Sequence, residues 1–175
     1  MVLEKYKPST RDTWRWRLPT IADIDNIVNL ARQHFQSEMQ DIVTINDFKF
    51  AHELAHVILA QNYSALNVQL IVAEQNSKIV AYAWIDRCIT MPYSDDEMAE
   101  ARFVHIDQTL PTRARVTIAA QILQQWEQWA MICRIPIIVS STIRSSQDTF
   151  LRLHEQAGYT VRGSIAFKRI GKEND

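Results

Sequence analysis

Apolar residues along this 175-residue chain change period several times, and each change marks an element. In residues 13–18, TWRWRL, Trp14 and Trp16 alternate with Arg15 and Arg17, the period-two signature of a half-buried strand. Pro19-Thr20 then opens a helix that Thr20 can cap with Asp23 three residues on. Ile24, Ile27, Val28, Ala31 and Phe35 share one face of that helix. A second helix is expected near 46–61, capped by Asn46 or Asp47. Residues 68–88, VQLIVAEQNSKIVAYAWIDRC, hold two β-rich runs around Gln75-Asn76-Ser77-Lys78. Asn76 tolerates a left-handed backbone, so a tight hairpin fits.

Beyond the hairpin, MPYSDDEMAE (91–100) reads as an acidic loop and ARFVHID (101–107) as a strand. Helix formers place a long helix at about 113–132. RIPIIVSST (134–142) is a β-branched run with the composition of a buried strand. SSQDTFLRLHEQAG gives a capped helix ending at Gly158 as its C′ residue, and YTVRGSIAFKRI gives two short strands turning near Arg162-Gly163-Ser164. The order is β-α-α-β-β-β-α-β-α-β-β. It predicts an α/β or α+β domain over 13–171, with a polar arm at 1–12, a tail at 172–175 and helices on both faces of the sheet.

Composition narrows the function classes. A formal net charge of −1 gives no electrostatic footprint for nucleic acid or an anionic membrane, so the five tryptophans are expected to pack rather than stack bases. Cys88 and Cys133 form no clustered pattern, and the N-terminus lacks the apolar run of a signal peptide, so the cytoplasm is the expected compartment. Glycine is scarce: Gly158, Gly163 and Gly171 are the only three, which excludes a glycine-rich phosphate loop before residue 158.

One motif stands apart. HELAH at 52–56 matches His-Glu-x-x-His, which on a helix offers two imidazoles to zinc and a glutamate as base. Phe50, Ala51, Leu54, Ala55 and Ile58 define the buried face of that helix, so His52 and His56 fall on the polar side with Lys49. Glu74, the nearest downstream carboxylate, ends a strand. A zinc hydrolase is thus the third reading, and no metal is expected.

Three passages together resemble the GNAT (GCN5-related N-acetyltransferase) superfamily. WRWRLPTIADIDNIVNLARQHF is similar to its opening strand and helix, LIVAEQNSKIVAYAWI to its central hairpin, and FLRLHEQAGYTVRG to its closing signature, across Trp14 to Ile170. The resemblance implies a mixed, mostly antiparallel sheet of about seven strands. It also implies acetyl-CoA as co-substrate, seated where the fourth and fifth strands part, with its pyrophosphate on the following helix start. Cofactor contacts carried over are Ile106, Gln108, Arg113, Ala114, Arg115, Val116, Thr117, Ile118 and Gln147. The family pattern there is Gln/Arg-x-x-Gly-x-Gly/Ala. This chain keeps the helix start and adds Arg113 and Arg115, but sets branched Val116 and Ile118 where small residues belong.

For catalysis the family's leaving-group acid, a tyrosine, aligns with His154, and its cofactor-facing asparagine with Gln147. Glu74, Glu100, His105 and Asp107 are candidate bases. His105 and Asp107 would project to one side of a regular strand as a proton relay. The implied reaction is acyl transfer to a small-molecule or protein amine. Acidic Asp95, Asp96, Glu97 and Glu100, in the acceptor-side loops 36–47 and 88–100, suit a cation. The second reading is a non-catalytic GNAT-like binding or assembly protein of the kind phage genomes encode. Homo-oligomers and larger assemblies are both open to it.

Overall fold

The computed structural model describes residues 13–38, 44–142 and 147–163, apart from the side chains of 36–38 and 88–89. Its elements are β1 (Arg15–Arg17), α1 (Ile24–Glu38), α2 (Asp47–Tyr63), β2 (Val68–Gln75), β3 (Lys78–Thr90), β4 (Glu97–Ile106), α3 (Thr112–Cys133), β5 (Ile137–Val139) and α4 (Asp148–Gln156). The strands form one sheet in the order β1-β2-β3-β4-β5. The first three pairings are antiparallel, and the last, across the α3 crossover, is parallel. This is the mixed, mostly antiparallel sheet expected. Five strands are present among the described residues where about seven were expected: 159–163 is not a strand, and 164–170 lies outside the described residues, as do 1–12, 39–43 and 172–175.

Strand alternation divides the core in two. Val68, Leu70, Val72, Tyr82 and Trp84 face α1 and α2, joining Ile27, Ala31, Leu54 and Ile58. Ile71, Ala73, Ala81, Ala83 and Ile85 face the opposite way, onto Ile118, Ile122, Trp126 and Trp129 of α3 and Leu153 of α4. The hairpin between β2 and β3 turns at Asn76 and Ser77, whose φ angles of 51° and 61° suit a type I′ turn without glycine. Asn46 caps α2 by accepting from the Lys49 amide at 2.9 Å.

β1 is fastened on both faces. The indoles of Trp14 and Trp16 donate to the same Gln121 Oε1, at 2.7 and 2.8 Å, tying the strand to α3. On the other face Arg17 donates to Asp23 at 2.7 and 2.8 Å and to Glu74 at 2.6 Å. Asp23 also accepts from the Thr20 amide at 2.7 Å. The Arg17 hydrogen bond, with help from Thr20, outweighs burial and holds the Asp23 carboxyl at about 2, against 3.8 ordinarily. A lowered carboxylate pKa contributes stability above the unfolded value and loses it as pH falls through the folded value. Asp23→Asn is therefore expected to cost about 2 kcal/mol at pH 7. The gap from wild type should close as urea titrations move from pH 4 toward about 2.

Two expectations need correcting. β4 begins at Glu97, inside the supposed acidic loop, because neighbouring arginines neutralise its glutamates: Arg87 pairs with Glu97, and Arg102 Nη1 donates to Glu100 at 2.9 Å. The loop shrinks to 91–96. The run 134–142 yields only the three-residue β5, with Ile137 and Val139 exposed at 38% and 37%, because β5 is the edge of the described sheet.

Candidate active site at the β4–β5 fork

The fork is set by unequal pairing. β4 runs beside β3 along its length but meets β5 only at Met98–Ile137, Ala99–Ile138 and Glu100–Val139. Past Glu100, β4 continues to Ile106 while the chain after Val139 leaves the sheet. A register shift at the same place pairs Trp84 with Phe103 and Ile85 with Ala101, leaving Arg102 as the extra residue of a bulge. The bulge turns β4 away from regular pairing where the fork opens. Arg102 reaches Glu100 and, at 3.5 Å, Asp86, so the candidate base Glu100 stands at the apex against a guanidinium. Glu74 lies far off, at β1, with Arg17.

At the far end of β4 the chain turns into α3. Asp107 accepts from the Thr109 amide at 2.9 Å and its hydroxyl at 2.7 Å, shaping that turn, and from Lys78 Nζ at 2.6 Å. Burial raises its pKa, but Lys78 and Thr109 together lower it below the ordinary value. His105, one rung inside the strand, bonds instead to Tyr82: Oη and Nδ1 are 2.6 Å apart. Its ring stacks on His34 of α1 at 4.5 Å and 4°. His105 thus bonds to Tyr82, and Asp107 to Lys78 and Thr109. His34 Nε2 donates to the Ile106 carbonyl at 2.8 Å, and exposed Gln108 approaches His34 Nδ1 at 3.4 Å. Tyr82 is fully buried, and desolvation pushes its phenol well above 10.

α3 starts at Thr112, after Pro111, which offers no side-chain cap; no acid lies in the first turn. Its leading amides thus have no side-chain cap, and the positive helix end carries two arginines. Arg113 is exposed. Arg115 donates to Thr112 Oγ1 at 3.2 Å, while its Nε is shielded from solvent without a partner, a group that an anion's oxygen would satisfy. The branched residues expected in this cradle are placed differently. Ile118 is wholly buried in the core beneath α3, Ala114 is buried, and Thr117 turns its hydroxyl to the Arg113 carbonyl at 2.9 Å. Val116 is half-buried. The helix rotation thus keeps the Ile118 side chain out of the cradle, and the residues present fit a phosphate group.

Across the fork, Ser140 is the first residue beyond the last β4–β5 rung. Its Oγ lies 3.0 Å from Nε2 of His154 on α4. His154 Nδ1 lies 2.9 Å from the Phe150 carbonyl, which can only accept, so Nδ1 carries the proton and Nε2 accepts from the serine hydroxyl. The ring packs on Phe150 at 3.8 Å and meets Tyr159 edge-on at 4.9 Å. Burial lowers its pKa below 6.5, only partly opposed by the Phe150 bond, so at neutral pH His154 is a neutral proton acceptor. Gln147 sits exposed at the start of α4 and makes no side-chain cap bond there. Ser140, Tyr82 and His34 carry no signal in the sequence: each acquires its place only through partners 14 to 72 positions away.

HELAH lies on the outer face of α2, where His52 and His56 are exposed and adjacent. Among the described residues no three His, Cys, Asp or Glu side chains converge, so this pair lacks the third protein ligand of a catalytic zinc site. No helix among the described residues is long and apolar enough to cross a membrane.

No family model and no curated protein matches this sequence. Solved structures do match. A ribosomal-protein-alanine N-acetyltransferase from Brucella melitensis biovar Abortus 2308 superimposes with a TM-score of 0.63 and 13% identity, over 91% of this chain and all of that one. A predicted acetyltransferase from Clostridium acetobutylicum, with acetyl-CoA, gives 0.67 and 15%, over 90% and 97%. Glucosamine-6-phosphate N-acetyltransferase from Arabidopsis thaliana gives 0.66 and 12%, over 91% and 99%. With its forked parallel pair, crossover helix and bulged fourth strand, this chain has the fold of the GNAT acetyltransferases.

Proposed function

We propose that the protein transfers an acetyl group from acetyl-CoA to an amine. The observation that carries this reading is the fork between β4 and β5, closed at one end by the uncapped, arginine-bearing start of α3. The leading amides of α3, with Arg113 and Arg115, would hold the pyrophosphate, as a helix start does for anions generally. When bound, acetyl-CoA supplies a thioester, an acyl group open to attack by a neutral amine. Beyond the bulge, among the described residues, β5 does not pair with β4, so amides on that edge of β4 would be available to polarise a carbonyl. Ser140 and His154 stand at the fork as a hydroxyl backed by a neutral imidazole. That pair can take a proton from an incoming ammonium and hold it at Nε2. His154 serves as the base in this arrangement, rather than as the acid its alignment implied. Glucosamine-6-phosphate and aminoglycosides appear among the names of the similar acetyltransferases, which supports a small-molecule amine acceptor.

The test is a thermal shift. At 100 times its dissociation constant, a ligand confined to the folded state adds about 2.7 kcal/mol, or roughly 5–10 °C in Tm for a chain of this size. Acetyl-CoA is expected to produce such a rise, and Arg113→Glu with Arg115→Glu to remove most of it. An unchanged Tm at millimolar acetyl-CoA would overturn the reading.

A further inference from the structure

The outer face of α2 holds an arrangement that acetyl transfer does not use. His52 and His56 are one helical turn apart and exposed, and their Nε2 atoms lie 3.2 Å apart. Side chains four residues apart on a helix are neighbours, and here the two Nε2 atoms come within hydrogen-bond distance of each other. With a metal–nitrogen distance of about 2.0–2.1 Å, a separation of 3.2 Å corresponds to an N–metal–N angle of roughly 100–106°. That lies between the right angle of an octahedral ion and the tetrahedral value, so the rings need little movement to ligate one ion together.

We propose that His52 and His56 form a two-ligand site for a divalent transition-metal ion with an affinity for imidazole, of the nickel, copper and zinc class. Both rings ligate through Nε2 and keep their protons on Nδ1. Glu53 follows His52 and lies one turn before His56, adding negative charge beside the ion, while Lys49 lies one turn before His52. The remaining coordination positions face outward. Phe48, Leu59 and Tyr63, on the same stripe of α2, are 83%, 51% and 90% exposed, so no other described part of the chain covers this face. Water fills the open positions in the isolated chain. The site differs from the hydrolytic centre that HELAH suggests, since two protein ligands hold the ion and Glu53 is not called on as a base.

The test uses untagged full-length protein titrated with nickel chloride alone, followed by calorimetry and by thermal shift. One ion per chain is expected, with a rise in Tm, because only the folded helix brings the two rings together. His52→Ala and His56→Ala should each weaken binding at least tenfold and remove the rise in Tm, while Glu53→Gln keeps both. Each variant should retain its thermal response to acetyl-CoA, which shows that it folds and separates this site from the one at the fork. Nickel binding unaffected by either histidine substitution, or no binding at millimolar metal by a protein that still folds, would overturn the proposal.

Discussion

His154→Gln is expected to lower kcat by about 10²–10⁴, the range for losing a positioned proton-transfer group, while leaving the thermal response to acetyl-CoA in place. Three observations join in this expectation. The imidazole is buried at the fork, its Nδ1 proton is fixed on the Phe150 carbonyl, and its Nε2 faces Ser140. Glutamine keeps polar atoms for both neighbours but cannot take up a proton. The readout is CoA thiol release with a primary amine acceptor, measured across pH. Since burial lowers the His154 pKa, the wild-type rate should persist below pH 6.5 and fail only on further acidification. The variant should lack that acidic limb. A variant with wild-type kcat and an unchanged pH profile would remove His154 from the chemistry and leave it as a packing residue.

The second large effect concerns stability. Trp126 is 1% exposed at the centre of the core between the sheet and α3. Trp126→Ala is expected to cost about 3–5 kcal/mol, through lost burial and the cavity left behind. Trp126→Phe is expected to cost no more than about 1 kcal/mol, because the indole Nε1 is buried without a partner. Removing an unsatisfied donor recovers part of what the smaller ring loses. Urea midpoints at constant m-value distinguish the two. Equal losses for both variants would mean that the indole N–H is satisfied after all.

The parts of the fold legible in the sequence were those coded locally. The alternation of Trp14 to Arg17, the Asn46 cap, the Asn76 turn and Gly158, with φ of 90° after α4, each act within a few residues, and each stands where it was expected. The start of β4 was hidden because Glu97 and Glu100 look like loop residues until Arg87 and Arg102 are beside them. The site was less legible still. His154 was singled out by the family resemblance alone, and the partners of its ring, Ser140 and the Phe150 carbonyl, are ones no periodicity reveals. The concern over Ile118 came from treating a helix start as a linear motif, when helix rotation alone decides which side chains point inward.

The hairpin at Asn76 and Ser77 has a further consequence when set beside Arg134, which ends α3 with φ of 57°. All three are side-chain-bearing residues in the left-handed region, which disfavours a Cβ by about 1–2 kcal/mol each. The chain has used almost no glycine, so this strain is carried by the ladder and the packing around it. Part of that load is offset, because residues with side chains are less free when unfolded than glycine would be. The fold therefore keeps an unspent reserve: its corners could be relaxed without touching the fork, so robustness and chemistry can change independently in this molecule.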